Sequence, residues 1–202
     1  MDIVSESVKK LETLLEHSGC SDGGVVLDVD PDVMNCQFEK GACMTATFGG
    51  KCGVFTTFDP IRACTKISFM FGAPLDTQPV RGAAGAIINV TTGFFCLARV
   101  LRPCKEEKHS PCMTKIADEI SGKQVCCIGS MPVIESLPGI YLTTDHSRAD
   151  VIIISGEGLI EEKTGELIEK YRHNKRIICI GPSTAGIARL HELEHWCPFG
   201  CS

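Results

Sequence analysis

Three familiar signatures are missing from this sequence. It has thirteen cysteines in 202 residues but no Cys-x-x-Cys pair, which removes the spacing of most zinc ribbons, ferredoxins and thioredoxin-like redox sites. There is no Gly-x-Gly-x-x-Gly, Walker loop, nucleophile elbow or paired-carboxylate motif, so neither a standard dinucleotide site nor a common hydrolase centre is signposted. Excess positive charge is lacking too. A net charge of -5 gives no electrostatic case for a nucleic-acid partner. The first residues show no basic stretch followed by an apolar one, which argues against a secretory signal. The longest uncharged stretch, Gly82 to Ala98, is too short to cross a bilayer and contains Asn89, Thr91 and Thr92. Internal repeats and low-complexity tracts are also missing. These absences suggest a cytoplasmic chain with reduced thiols, no membrane partner and no disulfide framework.

What is present is clearest in the last third. Four short apolar runs, Gln124–Ile128, Ile140–Thr143, Asp150–Ile154 and Arg176–Ile180, stop abruptly at small or polar residues. Apolar β-branched runs without alternation predict strands buried on both faces of a parallel sheet. Ligands of such sheets bind just beyond the carboxyl ends of the strands. The candidate cofactor-binding residues are therefore Gly129, Ser130, Asp145, Gly156, Gly181 and Ser183. The Gly129-Ser-Met-Pro132 turn should open a helix whose free N–H groups suit an anion. Asp145 falls where a ribose-binding carboxylate stands in Rossmann domains, although a lone Asp before His146 and Ser147 is more often a turn or cap residue. Loop geometry alone also accounts for the glycines and proline.

The rest of the pattern predicts a small α+β N-terminal domain (1–108) followed by a Rossmann-like parallel-sheet domain (109–202). The overall class is α/β. Val4, Val8, Leu11, Leu14 and Leu15 make the stripe of an amphipathic helix. Strands are expected near 25–29, 42–48, 53–58 and 66–71, with Gly49-Gly50-Lys51 as a hairpin turn. Arg81 to Leu101 reads as one long helix, small-residued in its first turns and so closely packed. Asn89 is the conspicuous polar residue within it, fit to cap a loop or to contact a ligand between domains. The 105–108 charge run is the candidate linker. Ser110-Pro111 looks like a helix start, and Glu161 to Tyr171 is a clear amphipathic helix.

The C-terminus carries His191-Glu-Leu-Glu-His195, which matches the helical zinc pattern His-Glu-x-x-His. Pro198 and the seven residues after His195 leave no third ligand of the protease kind. Cys197 and Cys201 follow closely, so His191, His195, Cys197 and Cys201 form a candidate set for zinc, iron or another borderline-to-soft metal. An ordinary exposed tail is the competing reading. A looser set, Cys96, Cys104, His109 and Cys112, lies in the middle of the chain. An iron–sulfur cluster has less support than a single ion. Cys126, Cys127 and Cys179 lie inside strands and read as small hydrophobes.

Asp150 to Ile160, Lys163-Thr164 and Arg176-Ile-Ile-Cys-Ile-Gly-Pro-Ser183, together with Gly129-Ser-Met-Pro132 and Gly85-Ala-Ile-Ile-Asn89, resemble motifs of the heavy-metal chelation domain family. That resemblance implies an enolase N-terminal-like domain, a Rossmann-like domain and a site between them. It implies a metal- or metallocofactor-handling role. The alternative is an enzyme that binds a nucleotide-like or other anionic metabolite at the strand ends. A metal ion or small-molecule ligand is the expected partner, and a homo-oligomer is compatible with the sequence.

Overall fold

The computed structural model describes residues 2–37 and 43–202. Its fold is mixed α/β, with a four-stranded antiparallel sheet, a five-stranded parallel sheet and helices on both. The first part contains α1 (Ile3–Leu15), β1 (Gly24–Asp30), β2 (Cys43–Phe48), β3 (Lys51–Thr56), β4 (Ala63–Lys66) and α2 (Gln78–Phe94). In α1, Ile3, Val4, Val8, Leu11 and Leu15 are buried while Leu14 is exposed. Asp2 caps it, accepting from the N–H groups of Val4 and Ser5. The strands run in the order β3-β2-β1-β4. The expected hairpin turn forms with only Gly49 and Gly50, at φ 54° and 78°, while Lys51, already in β3, pairs with Phe48. Ala42, expected to begin the second strand, lies outside the described residues.

Two elements of this half differ from expectation. Only Lys66 of the 66–71 segment is strand; Ile67–Met70 is a 3-10 helix. Its three-residue turn puts Ile67 and Met70 on one buried side, which a strand could not do. The long helix ends at Phe94 rather than Leu101. Cys96 adopts φ 57°, the N–H of Leu97 bonds back to Thr92 O and that of Cys96 to Gly93 O. This left-handed closure satisfies the last carbonyls and frees Leu101 to accept from the Val54 N–H at 2.8 Å.

The second part contains α3 (His109–Ile120), β5 (Gln124–Ile128), α4 (Pro132–Glu135), β6 (Tyr141–Leu142), β7 (Val151–Ile154), α5 (Gly156–Leu159), α6 (Thr164–Tyr171), β8 (Arg176–Ile180), α7 (Ala185–Leu190) and β9 (Glu194–Trp196). Its strands are parallel, in the order β6-β5-β7-β8-β9. The charged linker residues Glu106–Lys108 make a 3-10 turn leading directly into α3, so Ser110 and Pro111 sit inside the first turn rather than before it. Likewise α6 begins at Thr164, three residues later than the amphipathic pattern suggested.

The fifth strand is the largest departure. His191 to His195 is not a helix. α7 ends at Leu190, Glu192 turns at φ 54°, and the Leu193 N–H bonds back to Ala188 O at 2.9 Å. The chain then pairs with β8 through Cys179↔His195 and Ile180↔Trp196. A helix of six residues contributes few backbone bonds, whereas a strand here satisfies the open edge of β8.

α2 joins the two halves. Ala83, Ala84, Ile87 and Ile88 belong to one continuous core with Phe55 of β3 and Ile187 of α7. Arg81, almost fully buried, bonds to the Asp2 carboxylate, to Leu75 O and to Ile160 O. One cation thus fastens the start of α1 and the segment after α5 to α2. Among the described residues no helix is long and apolar enough to cross a membrane.

A thiol-lined candidate site between the sheets

The carboxyl ends of β5, β7 and β8 converge on a cavity closed from the other side by β3 and the segment after β1. Ser130, Ser155, Gly156, Gly181 and Ser183 form its floor, and Thr56, Asn35, Cys36 and Gln37 its roof. Measured by the positions open to the centre of a water-sized sphere, it holds about 40 Å³, room for roughly three waters. The Thr56 N–H donates to Ser183 Oγ at 2.8 Å, and Ser183 in turn donates to Thr56 Oγ1 at 3.3 Å, tying floor to roof. Ser155 caps α5, accepting from the Gly158 N–H at 3.2 Å. Glu157 also lines the cavity; its carboxylate accepts from the Phe58 N–H, and burial pushes its pKa up.

Four cysteines reach this cavity from distant parts of the chain: Cys36, Cys104, Cys112 and Cys197. Cys36 and Cys112 lie beside each other, close enough for each to shift the other's pKa. The Cys112 sulfur and burial keep the Cys36 thiol protonated and raise its pKa. Cys112 is lowered to about 7, first by the Cys36 thiol, against the effect of burial, and then by the Trp196 N–H and Lys115. Cys112 lies in the first turn and a half of α3, where the helix dipole also favours a thiolate. Burial pushes Cys197 up to about 12, and the neighbouring Cys112 and Cys104 add to the shift. Cys104 is raised mainly by burial. Trp196 Nε1 is buried and has no hydrogen-bond partner of ordinary geometry, although its N–H helps to stabilise the Cys112 thiolate. No lysine or arginine is among the described residues that line the cavity.

Ser130, Gly156, Gly181 and Ser183 therefore meet as the strand pattern suggested, while the other three cofactor candidates stand elsewhere. Gly129 serves the turn: its φ is 78° and its α-carbon passes against Ser155 and Gly158 too closely for a side chain. Asn89 has both ends of its amide engaged, donating to Pro182 O at 3.0 Å and accepting from the Gly186 N–H at 2.9 Å. Asp145 is exposed, and its carboxylate accepts from the N–H and hydroxyl of Ser147, which lower its pKa.

The tail residues separate. His191 is buried against α1. Ser7 gives its proton to Ile3 O, so His191 Nε2–H donates to Ser7 Oγ at 3.0 Å and Nδ1 faces Lys10 Nζ at 3.4 Å. His195 donates from Nε2 to Gly181 O at 2.9 Å, and burial lowers its pKa. Cys201 is exposed and its backbone pairs with Arg102. Of the four, only Cys197 lines the cavity. Among the described residues, no three His, Cys, Asp or Glu side chains stand close enough to hold a metal ion as they are. Of the middle set, Cys104 and Cys112 reach the cavity and Cys96 is exposed. Cys36 had no sequence signal, because nothing in Asn35-Cys36-Gln37 predicts which strand ends it will face.

No family model matches the sequence, and no curated protein does. Solved structures do match in fold. A protein of unknown function of the DUF364 family from Pyrococcus horikoshii aligns with a TM-score of 0.53 and 18% identity, over 91% of this chain and 80% of that one. A second DUF364 protein of unknown function, from Desulfitobacterium hafniense, gives 0.51 and 18%, over 82% of this chain and 76% of that one. At this identity the likeness extends to the fold, a two-part α/β architecture, and no further.

Proposed function

We propose that this protein handles a thiophilic metal ion, or a compound that carries one, in the cavity between its sheets. The observation that carries the reading is the convergence of Cys36, Cys104, Cys112 and Cys197 on one enclosed space from four separate segments. The donor chemistry fits such a group. Thiols and a half-buried carboxylate, with no cation among them, suit a soft or borderline cation such as zinc or ferrous iron. The same features disfavour the alternative anionic metabolite, which would find only small hydroxyls and the ends of four-residue helices. The space, about 40 Å³, admits an ion with a few waters rather than a nucleotide.

The thiols are not assembled in advance. Cys36 and Cys112 lie beside each other, Cys104 and Cys197 are near enough to raise the pKa of Cys36, and Cys104 also raises that of Cys197. Binding therefore requires their protons to leave and the side chains to draw together, which makes uptake favourable at higher pH. A bound metal would be held by Cys36, Cys104, Cys112 and Cys197 and would supply positive charge in the cavity. Of the tail residues, this reading keeps Cys197 and leaves His191, His195 and Cys201 out.

Anaerobic titration of the reduced protein with zinc or ferrous iron, read by native mass spectrometry, tests the proposal. One equivalent per chain is expected, with at least about tenfold weaker binding in Cys112→Ser and Cys197→Ser, and unchanged binding in His191→Ala. A reduced protein that takes up neither metal, or a Cys112→Ser variant that binds normally, overturns it.

A further inference from the structure

The placing of Cys36 and Cys112 in one cavity and one cluster, with a buried indole N–H beside them, supports an inference that does not depend on metal binding. We propose that Cys112 is a site of oxidation by small hydroperoxides, with Cys36 as the thiol that resolves it to a disulfide.

Three observations point this way. The two thiols come from segments 76 residues apart, yet they line the same small cavity and pack in one cluster with Trp196. Their shared cavity has room for roughly three waters, which admits hydrogen peroxide but excludes a bulky peptide disulfide. Cys36 also borders an outer groove with Gln37, His109 and Met113, so residues 35–37 form the wall between that groove and the cavity.

Trp196 supplies the remaining part. Its buried Nε1–H lacks an acceptor of ordinary geometry and lies beside Cys112. A sulfur that gains an oxygen offers such an acceptor, since a sulfenic oxygen reaches farther than the sulfur and accepts a hydrogen bond more strongly.

The chemistry balances in two steps. The Cys112 sulfur attacks one peroxide oxygen, the O–O bond breaks, and the second oxygen leaves as water with the thiol proton; Cys112 becomes a sulfenic acid and the peroxide is reduced. The Cys36 sulfur then attacks Cys112 Sγ, the S–O bond breaks, and the hydroxyl leaves as water with the Cys36 proton. Overall two thiols and one hydrogen peroxide give one disulfide and two waters. The product removes two of the four cavity thiols from any other use.

The test is to treat the metal-free, reduced protein with one equivalent of hydrogen peroxide and map its disulfides by mass spectrometry. A Cys36–Cys112 link is expected to dominate. In Cys36→Ser, dimedone should trap a sulfenic acid at Cys112 at least about tenfold faster than at the exposed Cys64 or Cys96. Cys112→Ser should show no comparable trapping at Cys36, and Trp196→Phe should shorten the lifetime of the trapped species. Serine is close to isosteric, and near-native circular dichroism confirms that each variant is folded. Oxidation spread evenly over the exposed cysteines, or trapping at Cys36 in place of Cys112, overturns the proposal. Because no metal is present, failure to bind zinc or iron counts against the metal reading alone.

Discussion

His191 shows how one residue's role depends on its surroundings. In the sequence it reads as a metal ligand; in the fold it is a buried neutral imidazole between Ser7 and Lys10. Burial, helped by Lys10 and Arg172, lowers its pKa to about 4 from an ordinary 6.5. Between those values the unfolded chain takes up a proton that the folded chain refuses. Its contribution to stability is thus complete above about pH 6.5 and shrinks as the pH falls toward 4, by on the order of 2 kcal/mol after allowing for screening by water. His191→Gln, which cannot titrate, should flatten this part of the acid limb. Urea unfolding of both proteins at pH 7 and pH 4.5 measures it, and equal losses in the two would refute the assignment. Cys112 lies at the other extreme. It is drawn downward, to about 7, first by the Cys36 thiol beside it.

At the scale of elements, the close crossing of α2 and α7 sets the position of the cavity floor. Asn89 clamps Pro182 and Gly186, and the Pro182 segment carries Gly181 and Ser183 into the site. Gly186 permits this approach. A Cβ there would lie 2.7 Å from Thr92 Oγ1 and 2.9 Å from Asn89 Cα, with the Asn89 backbone unable to move aside cheaply. Alanine is favoured over glycine inside a helix by roughly 1 kcal/mol, but forcing two backbones apart costs about 1–3 kcal/mol. Gly186→Ala should therefore be destabilising by up to about 2 kcal/mol, read as a lower urea midpoint. A stabilised variant would show that the crossing has slack. The same scale explains the misread tail: His-Glu-x-x-His suggests a helix by spacing, but α7 closes at His191 and the following residues gain more by pairing with β8.

At the scale of the whole molecule, the cavity walls come from both sheets, so anything bound there bridges them. A metal present at about 100 times its dissociation constant adds roughly 2.7 kcal/mol to the folded state. For a chain of 202 residues that is a rise in Tm of about 5–10 °C. Reduced protein should show this rise with zinc, and Cys112→Ser should lose most of it. A rise of equal size in the variant would place the binding elsewhere.

The sequence by itself determined the class of fold and three of the four expected buried parallel strands, with the places where they end. It did so because β5, β7 and β8 are apolar on both faces, and because glycine and serine must follow where the chain turns. The Ile140–Thr143 run is instead a two-residue edge strand whose Tyr141 and Leu142 are exposed, because an edge strand has no neighbour to cover it. The sequence also showed Ser130, Gly156, Gly181 and Ser183 as candidates, since strand ends are local features. Only the tertiary structure decided which thiols meet. Cys36, Cys104, Cys112 and Cys197 share a cavity through the docking of one sheet on another, and no spacing along the chain encodes that distance. For the same reason Asn89 became a clamp, His191 a core residue and β9 a strand. Each was settled by a partner far away in sequence, and pairing energies between distant segments leave no periodic trace in either of them.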